Sequence, residues 1–224
     1  MIKQIRAITE NNKNFKKEVE DYTYYASNIK LERLITYSIC KYLKQVKIDT
    51  VLEKGVKNNK SDIVVTEKKI ELKYQLEIDI IDRLDKEIDR VNKLGLPLLE
   101  MFKAKKEEKE SKGWAILYKF AYDIFYKKCD YFILVVLNRR KDSYNQIFPE
   151  YKNVCIGYNL KKHKPDINTD ELNSIINKFT KLLKKTYTYC DQWVVPLNKK
   201  IDGHYLKSDL CFYMYSFNKK RDNE

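Results

Sequence analysis

Ser61-Asp62-Ile63-Val64-Val65-Thr66 and Ile70-Glu71-Leu72-Lys73-Tyr74-Gln75 are two short apolar segments, separated by the charged residues 67–69. A period of two sends Ile70, Leu72 and Tyr74 to one face of a strand, and the polar residues between them to the other. The charged interval is typical of a hairpin tip. The pattern therefore predicts a two-stranded ribbon that gathers two carboxylates and an ammonium group at one end.

The grouped side chains, Asp62, Glu71 and Lys73, suit metal-assisted phosphate chemistry. Carboxylate oxygens are the ligands that a hard cation such as Mg²⁺ prefers. A metal ion and a lysine together can polarise a phosphate and activate a water molecule. The alternative is an exposed hairpin face with solvated charges.

The combination of Asp62 with the triplet Glu71-Leu72-Lys73 resembles the signature of the PD-(D/E)xK nucleases, the superfamily of most type II restriction endonucleases. Ser61 stands where the signature usually has proline. The resemblance implies an α/β (mixed α+β) restriction-endonuclease-like core, with helices flanking a central mixed sheet in the order α-β-β-β-α-β. It also implies that Asp62, Glu71 and the Leu72 carbonyl hold Mg²⁺, while Lys73 orients or deprotonates the attacking water.

A helix is predicted before the hairpin, because apolar residues recur at helical spacing from Leu31 to Val46, after the candidate N-cap Ser27. Glu32 lies at the border of this apolar stripe. Many nucleases of the resembled superfamily carry a glutamate on the corresponding helix. Glu32 is therefore a candidate additional metal ligand. The alternative, with equal weight, is that Glu32 lies on the flank of the helix with its side chain in water.

The length of 224 residues, with no visible repeat or linker, predicts one domain spanning residues 1–224. Residues 27–137 match the order of the resembled core, and 138–224 are expected to add DNA-recognition or dimerisation elements. The predicted elements are a helical arm over 1–25, strands over 48–56, 131–137 and 154–158, helices over 78–94, 98–102, 114–125 and 168–185, and aromatic β-like segments over 193–197 and 205–217.

Composition narrows the class of protein. The chain has 45 Lys+Arg against 32 Asp+Glu, a formal net charge of +13, which favours a polyanionic partner such as nucleic acid. The five glycines form no phosphate-binding loop, so a nucleotide cofactor is not expected. Scattered cysteines, no signal-like start and no apolar run long enough for a bilayer predict a cytoplasmic protein without a membrane partner.

Other Glu-x-Lys triplets compete with the chosen one. Glu150/Lys152, preceded by Asp142, is the main rival, although Pro149 argues against a central strand there. The remaining triplets lie on the predicted turn, at Glu67/Lys69, or in the charged segment 103–112.

The resemblance implies a magnesium-dependent, site-specific double-stranded DNA endonuclease of the type II restriction kind, and a palindromic site would be read by a homodimer. A mismatch-repair-type nicking endonuclease and a non-catalytic nucleic-acid-binding protein are the alternatives. Candidate phosphate contacts are the basic clusters at 57/60, 139–141, 161–164, 199–200 and 219–221, for which a solvated surface is the alternative. The aromatic segment Tyr205–Tyr215 is a candidate base-stacking surface, for which a core strand is the alternative.

Overall fold

A computed structural model describes residues 1–25, 31–54, 61–95, 98–100, 115–139, 169–183, 187–201 and 204–217. Its helices are α1 (Ile2–Asn11), α2 (Lys13–Tyr25), α3 (Leu31–Gln45), α4 (Glu77–Asp79, Ile80–Leu84 and Asp85–Leu94 in succession), α5 (Ala115–Ala121 and Tyr122–Tyr126) and α6 (Thr169–Leu182). Its strands are β1 (Thr50–Lys54), β2 (Ser61–Val65), β3 (Lys68–Leu76), β4 (Tyr131–Arg139), β5 (Tyr187–Ile201) and β6 (His204–Phe217).

These six strands form one mixed sheet in the order β1-β2-β3-β4-β6-β5. β3 and β4 are parallel, in a register that runs from Ile70–Tyr131 to Leu76–Leu137, and all other neighbours are antiparallel. A parallel pair needs a crossover connection, and α4 and α5 lie in the chain between β3 and β4. The predicted order of helix, three strands, helices and strand is observed in this part of the chain.

A tight turn joins β2 to β3. Val65 pairs with Lys68, so that only Thr66 and Glu67 form the connection, and both have positive φ, of 46° and 67°. Two consecutive left-handed residues are the geometry that matches the twist of a two-residue hairpin. The turn is thus shorter than the predicted tip at 67–69, and β3 begins earlier, at Lys68.

Hydrophobic cores lie on both faces of the sheet. The residues of Phe132–Leu137 alternate between a core covered by α1–α3 and a core covered by α4–α6. Ile70 and Leu72 of β3 join the first core, as the period of two predicts. Glu71, between them, is directed to the opposite face, where α5 packs.

The first 25 residues are part of the core rather than an arm. Ile5, Phe15 and Val19, on α1 and α2, are almost fully buried against α3 and the sheet. The expectation of a helical arm is therefore wrong in its packing, although the helices themselves are present. A periodic stripe that includes Phe15 buries too much apolar surface to remain in water.

The helix after β3 contains an irregular segment. Residues Ile80–Leu84 are π-helical, which places extra residues in the turn. Ile80 is fully buried, and Ile81 is partly buried against the same core. At the other end, Leu94 is 56% exposed, immediately before Gly95, which ends the helix with φ of 65°. Val46, predicted to face the core after α3, is likewise exposed, at 57%.

The predicted C-terminal helix and β segments are present within the described residues. α6 buries Leu172, Ile175, Ile176 and Phe179, and β5 and β6 extend the sheet beyond β4. Ser27, Trp114, the segment 103–112 and the predicted strand 154–158 lie outside the described residues. None of the described helices is both long and apolar enough to cross a membrane.

Candidate active site

Asp62 is tied to the neighbouring strand through its side chain. The backbone pairing of β2 with β3 reaches Ile63–Ile70, and beyond it the N–H of Leu72 donates to Asp62 Oδ2 at 2.8 Å. The carboxylate therefore accepts a backbone hydrogen bond that a carbonyl of the neighbouring strand would accept in a regular β-sheet. The pKa of Asp62 is raised, because burial disfavours its charged form more than Lys73 and the Leu72 N–H favour it.

Glu71 is the most deeply buried acid of the site, with a relative exposure of 0%. Its Oε2 accepts a hydrogen bond from Lys127 Nζ at 2.7 Å, whereas its Oε1 is buried without a hydrogen-bond partner among the described residues. Burial, and then the negative charges of Asp62 and Asp123, raise the pKa of Glu71 to about 8. Lys127 opposes this rise but does not cancel it.

Lys73 is surrounded by oxygen atoms. Its Nζ lies 3.1 Å from Asp123 Oδ2, 3.3 Å from Glu32 Oε1 and 4.0 Å from Asp62 Oδ2. It also donates to the carbonyl of Leu72 at 3.3 Å. Burial lowers the pKa of Lys73. The surrounding carboxylates, of which Asp123 has the largest effect, raise this pKa by more than burial lowers it. The net shift is therefore upward, and the side chain is an ammonium ion.

Glu32 reaches the hairpin from the first turn of α3. One carboxylate oxygen contacts Lys73 Nζ, and the other accepts a hydrogen bond of 3.3 Å from the backbone N–H of Tyr74. The structure therefore places Glu32 beside the three hairpin residues. Its carboxylate is held there by a lysine and a backbone group, and the side chain is 28% exposed.

Two further charged residues complete the cluster, and neither was predicted. Asp123 lies in the π-helical end of α5 and is 3% exposed, and Lys127 follows that end. Lys127 Nζ contacts Asp123 Oδ1 at 2.9 Å. An acid four residues before a lysine is the usual pattern of a solvated pair on a helix surface, so the sequence carried no signal that this pair is buried.

The cluster carries more negative than positive groups. Among the described residues it contains four carboxylates, Glu32, Asp62, Glu71 and Asp123, against the ammonium groups of Lys73 and Lys127. With every group ionised, the formal charge is −2. The raised pKa values of Asp62 and Glu71 reflect burial together with this incompletely balanced charge.

The side-chain donors of the cluster bear on whether it can hold a metal ion. The described residues contain no group of three or more His, Cys, Asp or Glu side chains arranged to hold one. Asp62, Glu71 and the Leu72 carbonyl nevertheless offer hard oxygen donors. Glu71 Oε1 and Asp123 Oδ2 are both buried without a hydrogen bond among the described residues. Asp123 Oδ2 lies 3.1 Å from Lys73 Nζ, which leaves Glu71 Oε1 as the oxygen that a cation would satisfy.

Comparison with known proteins finds no matching family model, no matching curated protein and no matching solved structure. The chemical interpretation of the cluster consequently rests on its own residues and their geometry.

The other candidates are the competing Glu-x-Lys triplets, the basic clusters and the aromatic segment. The rival Glu150/Lys152 with Asp142, the triplets of segment 103–112 and most of the basic clusters lie outside the described residues. Lys199, on β5, forms an ion pair with Asp21. Tyr213 and Tyr215 are buried in the core, as the alternative of a core strand predicts, and are not available to stack on bases.

Proposed function

We propose that this chain is a magnesium-dependent endonuclease that hydrolyses phosphodiester bonds of double-stranded DNA, in the manner of a type II restriction enzyme. The convergence of Asp62, Glu71 and Lys73 at the β2–β3 hairpin is the observation that carries the proposal. The three side chains meet at one buried edge, as the resemblance to the PD-(D/E)xK nucleases implies. Glu32 joins them from α3, where that resemblance expects a glutamate.

The arrangement of the chain supports this proposal. The antiparallel strands β1, β2 and β3, preceded by α3 and followed by the crossover to a parallel β4, have the element order of the resembled core. The strands β5 and β6 and the helix α6 are additions to that core. Fold order alone does not assign an activity, which is why the proposal depends on the side-chain cluster.

The oxygen donors of the hairpin support a cation at this site. Asp62 and Glu71 would hold Mg²⁺ together with the Leu72 carbonyl, and Glu32 would complete the negative surroundings. Magnesium bound there would polarise the scissile phosphate and lower the pKa of a bound water. The formal charge of −2 in the cluster favours one divalent cation.

Lys73 would act on the substrate through its ammonium group. Three carboxylates hold its Nζ at the edge of the hairpin, and this position allows it to orient the attacking water. Its charge would also stabilise the negative charge that develops on the phosphate during in-line attack. A preorganised donor of this kind typically contributes about 10²- to 10³-fold in rate.

The net charge of +13 supports DNA as the substrate. Cutting two strands of opposite polarity calls for two such sites, and a homodimer with a dyad would supply them. The elements beyond β4 offer surface for the dimer contact and for base reading.

The direct test is digestion of supercoiled plasmids of varied sequence with the purified protein, with Mg²⁺ or with EDTA. We expect linear product at discrete positions in Mg²⁺ only, and two chains per cognate duplex in sedimentation. Accumulation of nicked circles by a monomer would instead favour the mismatch-repair type of enzyme. DNA binding without cleavage under any divalent metal would favour the non-catalytic alternative.

A further inference from the structure

Asp123 and Lys127 contact both functional residues of β3 while belonging to another part of the fold. Lys127 Nζ is 2.7 Å from Glu71 Oε2 and 2.9 Å from Asp123 Oδ1. The second oxygen of Asp123 is 3.1 Å from Lys73 Nζ. One ammonium group thus bridges two carboxylates, and one carboxylate bridges two ammonium groups.

We propose that Asp123 and Lys127 form an internal counter-ion pair, in which Lys127 stands in for a divalent cation at Glu71 and moves onto Asp123 when that cation binds. This inference depends on the proposed function in one respect only, which is the presence of a cation at Glu71. The displacement requires little motion, because Lys127 already contacts Asp123 at 2.9 Å. Only its contact with Glu71 has to break.

Glu71 presents an oxygen that invites this exchange. Its Oε1 is buried without a partner among the described residues, while Oε2 is held by Lys127. An incoming cation therefore has one free oxygen to contact before the lysine leaves. Because a buried carboxylate left half-satisfied is costly, Lys127 keeps Glu71 oriented in the cation-free protein.

Asp123 is suited to receive the lysine rather than to hold the metal itself. Both of its oxygens already face lysine ammonium groups, at 2.9 and 3.1 Å. Without Asp123, a displaced Lys127 would remain near Glu71 and repel the cation. The role assigned to both residues is therefore one of positioning, through Glu71 and Lys73.

A double-mutant cycle on DNA-free protein tests this exchange. Mn²⁺ binding is measured by the loss of the free-ion paramagnetic resonance signal for wild type, Asp123→Asn, Lys127→Gln and the double variant. We expect Asp123→Asn to weaken Mn²⁺ binding about tenfold, since one nearby negative charge is lost and Lys127 has no second acceptor. Lys127→Gln should not weaken it, and the double variant should return to within about threefold of wild type.

Each of the following outcomes would overturn the inference. A double variant as weak as Asp123→Asn would make Asp123 a direct ligand and overturn the inference. Losses that simply add would indicate a structural role and also overturn it. Equal binding in all four proteins, or no Mn²⁺ binding by wild type, would refute it as well.

Two controls separate folding and function from the exchange. Lys119→Gln makes the same change on the exposed side of α5 and should leave Mn²⁺ affinity unchanged, and urea unfolding without metal confirms that each variant is folded. Lys127→Met replaces the glutamine variant if that protein does not fold. A wild type that binds Mn²⁺ but cuts no DNA would sink the proposed function and leave the cycle valid.

Discussion

The carboxylate of Asp62 accepts a hydrogen bond of 2.8 Å from the backbone N–H of Leu72, on the neighbouring strand. The backbone ladder of β2 and β3 reaches Ile63–Ile70, so this bond continues the pairing by means of a side chain. Asp62 therefore has a structural role, because its side chain accepts a hydrogen bond. Mutation can separate this role from any role that needs the negative charge of Asp62.

Asp62→Asn should abolish magnesium-dependent cleavage, by at least about 100-fold, because the metal loses a charged ligand. Its stability should stay close to that of wild type, since the amide oxygen can still accept from Leu72. Asp62→Ala should lose cleavage and also about 1–2 kcal/mol of unfolding free energy, because the Leu72 N–H is left without its acceptor. Plasmid digestion and urea denaturation check both variants, and wild-type cleavage by Asp62→Asn would remove Asp62 from the site.

Glu71→Gln should flatten the dependence of stability on pH in EDTA. The folded-state pKa of Glu71 is about 8, above the ordinary value of 4.5. The folded protein therefore binds the extra proton between these values, and its free energy of unfolding falls as pH rises from about 4.5 to about 8. The glutamine variant lacks this loss, which is on the order of a few kcal/mol.

Urea midpoints at pH 5, 6.5 and 8 for the two proteins measure the effect, because their difference removes contributions from all other groups. Parallel curves would contradict the burial of an ionisable Glu71. Addition of Mg²⁺ at pH 8 should stabilise wild type more than the glutamine variant.

Lys73→Arg should keep the fold but lower the cleavage rate by about 100-fold, because a planar guanidinium cannot reproduce the position of a compact ammonium among three carboxylates. DNA binding in Ca²⁺, measured by anisotropy, should stay within about threefold of wild type. Lys73→Met should be markedly less stable, since it leaves buried carboxylates without their cation.

Lys68→Met is the matched control for this prediction. Lys68 lies on the same strand, and its ion pair with Asp130 is partly exposed, so its removal should change stability by less than about 1 kcal/mol. If Lys68→Met lost cleavage as strongly as Lys73→Arg, general damage to the hairpin would explain both losses.

The affinity for DNA should fall steeply with salt concentration. The chain has a formal charge of +13, and each phosphate contact releases counterions on binding. With Ca²⁺ in place of Mg²⁺, the protein should bind DNA and scarcely cut it, since the looser coordination of calcium positions the water poorly. A flat dependence of affinity on salt between about 50 and 200 mM would argue against phosphate-dominated binding.

The hairpin and its three charged residues could be predicted because the information is local. A period of two fixes which residues share a face, and the turn at Thr66-Glu67 brings Asp62 next to β3. Glu32 was within reach of the same reasoning, since its place at the border of a helical stripe limits where its side chain can point.

Asp123 and Lys127 could not be predicted, because their position depends on tertiary structure. The parallel pairing of β3 with β4 and the π-helical end of α5 determine where they lie. An extra residue in a helical turn changes which side chains face inward. No pattern in the sequence indicates where such a π-helical turn occurs. A second π-helical segment, in α4, buries Ile80 fully and Ile81 in part.

The short turn at Thr66-Glu67 also sets an order of events during folding. The hairpin closes a minimal loop, whereas pairing of β3 with β4 must first bring together the ends of the whole stretch between Leu76 and Tyr131. Pulse-labelled hydrogen exchange should show the Leu72 N–H, bonded to Asp62, protected before the Asp130 N–H, which donates to the Lys69 carbonyl across β3 and β4. Simultaneous protection would refute this order. If it holds, the acids of the hairpin assemble before Lys127 arrives, and divalent cations present at that stage should speed refolding.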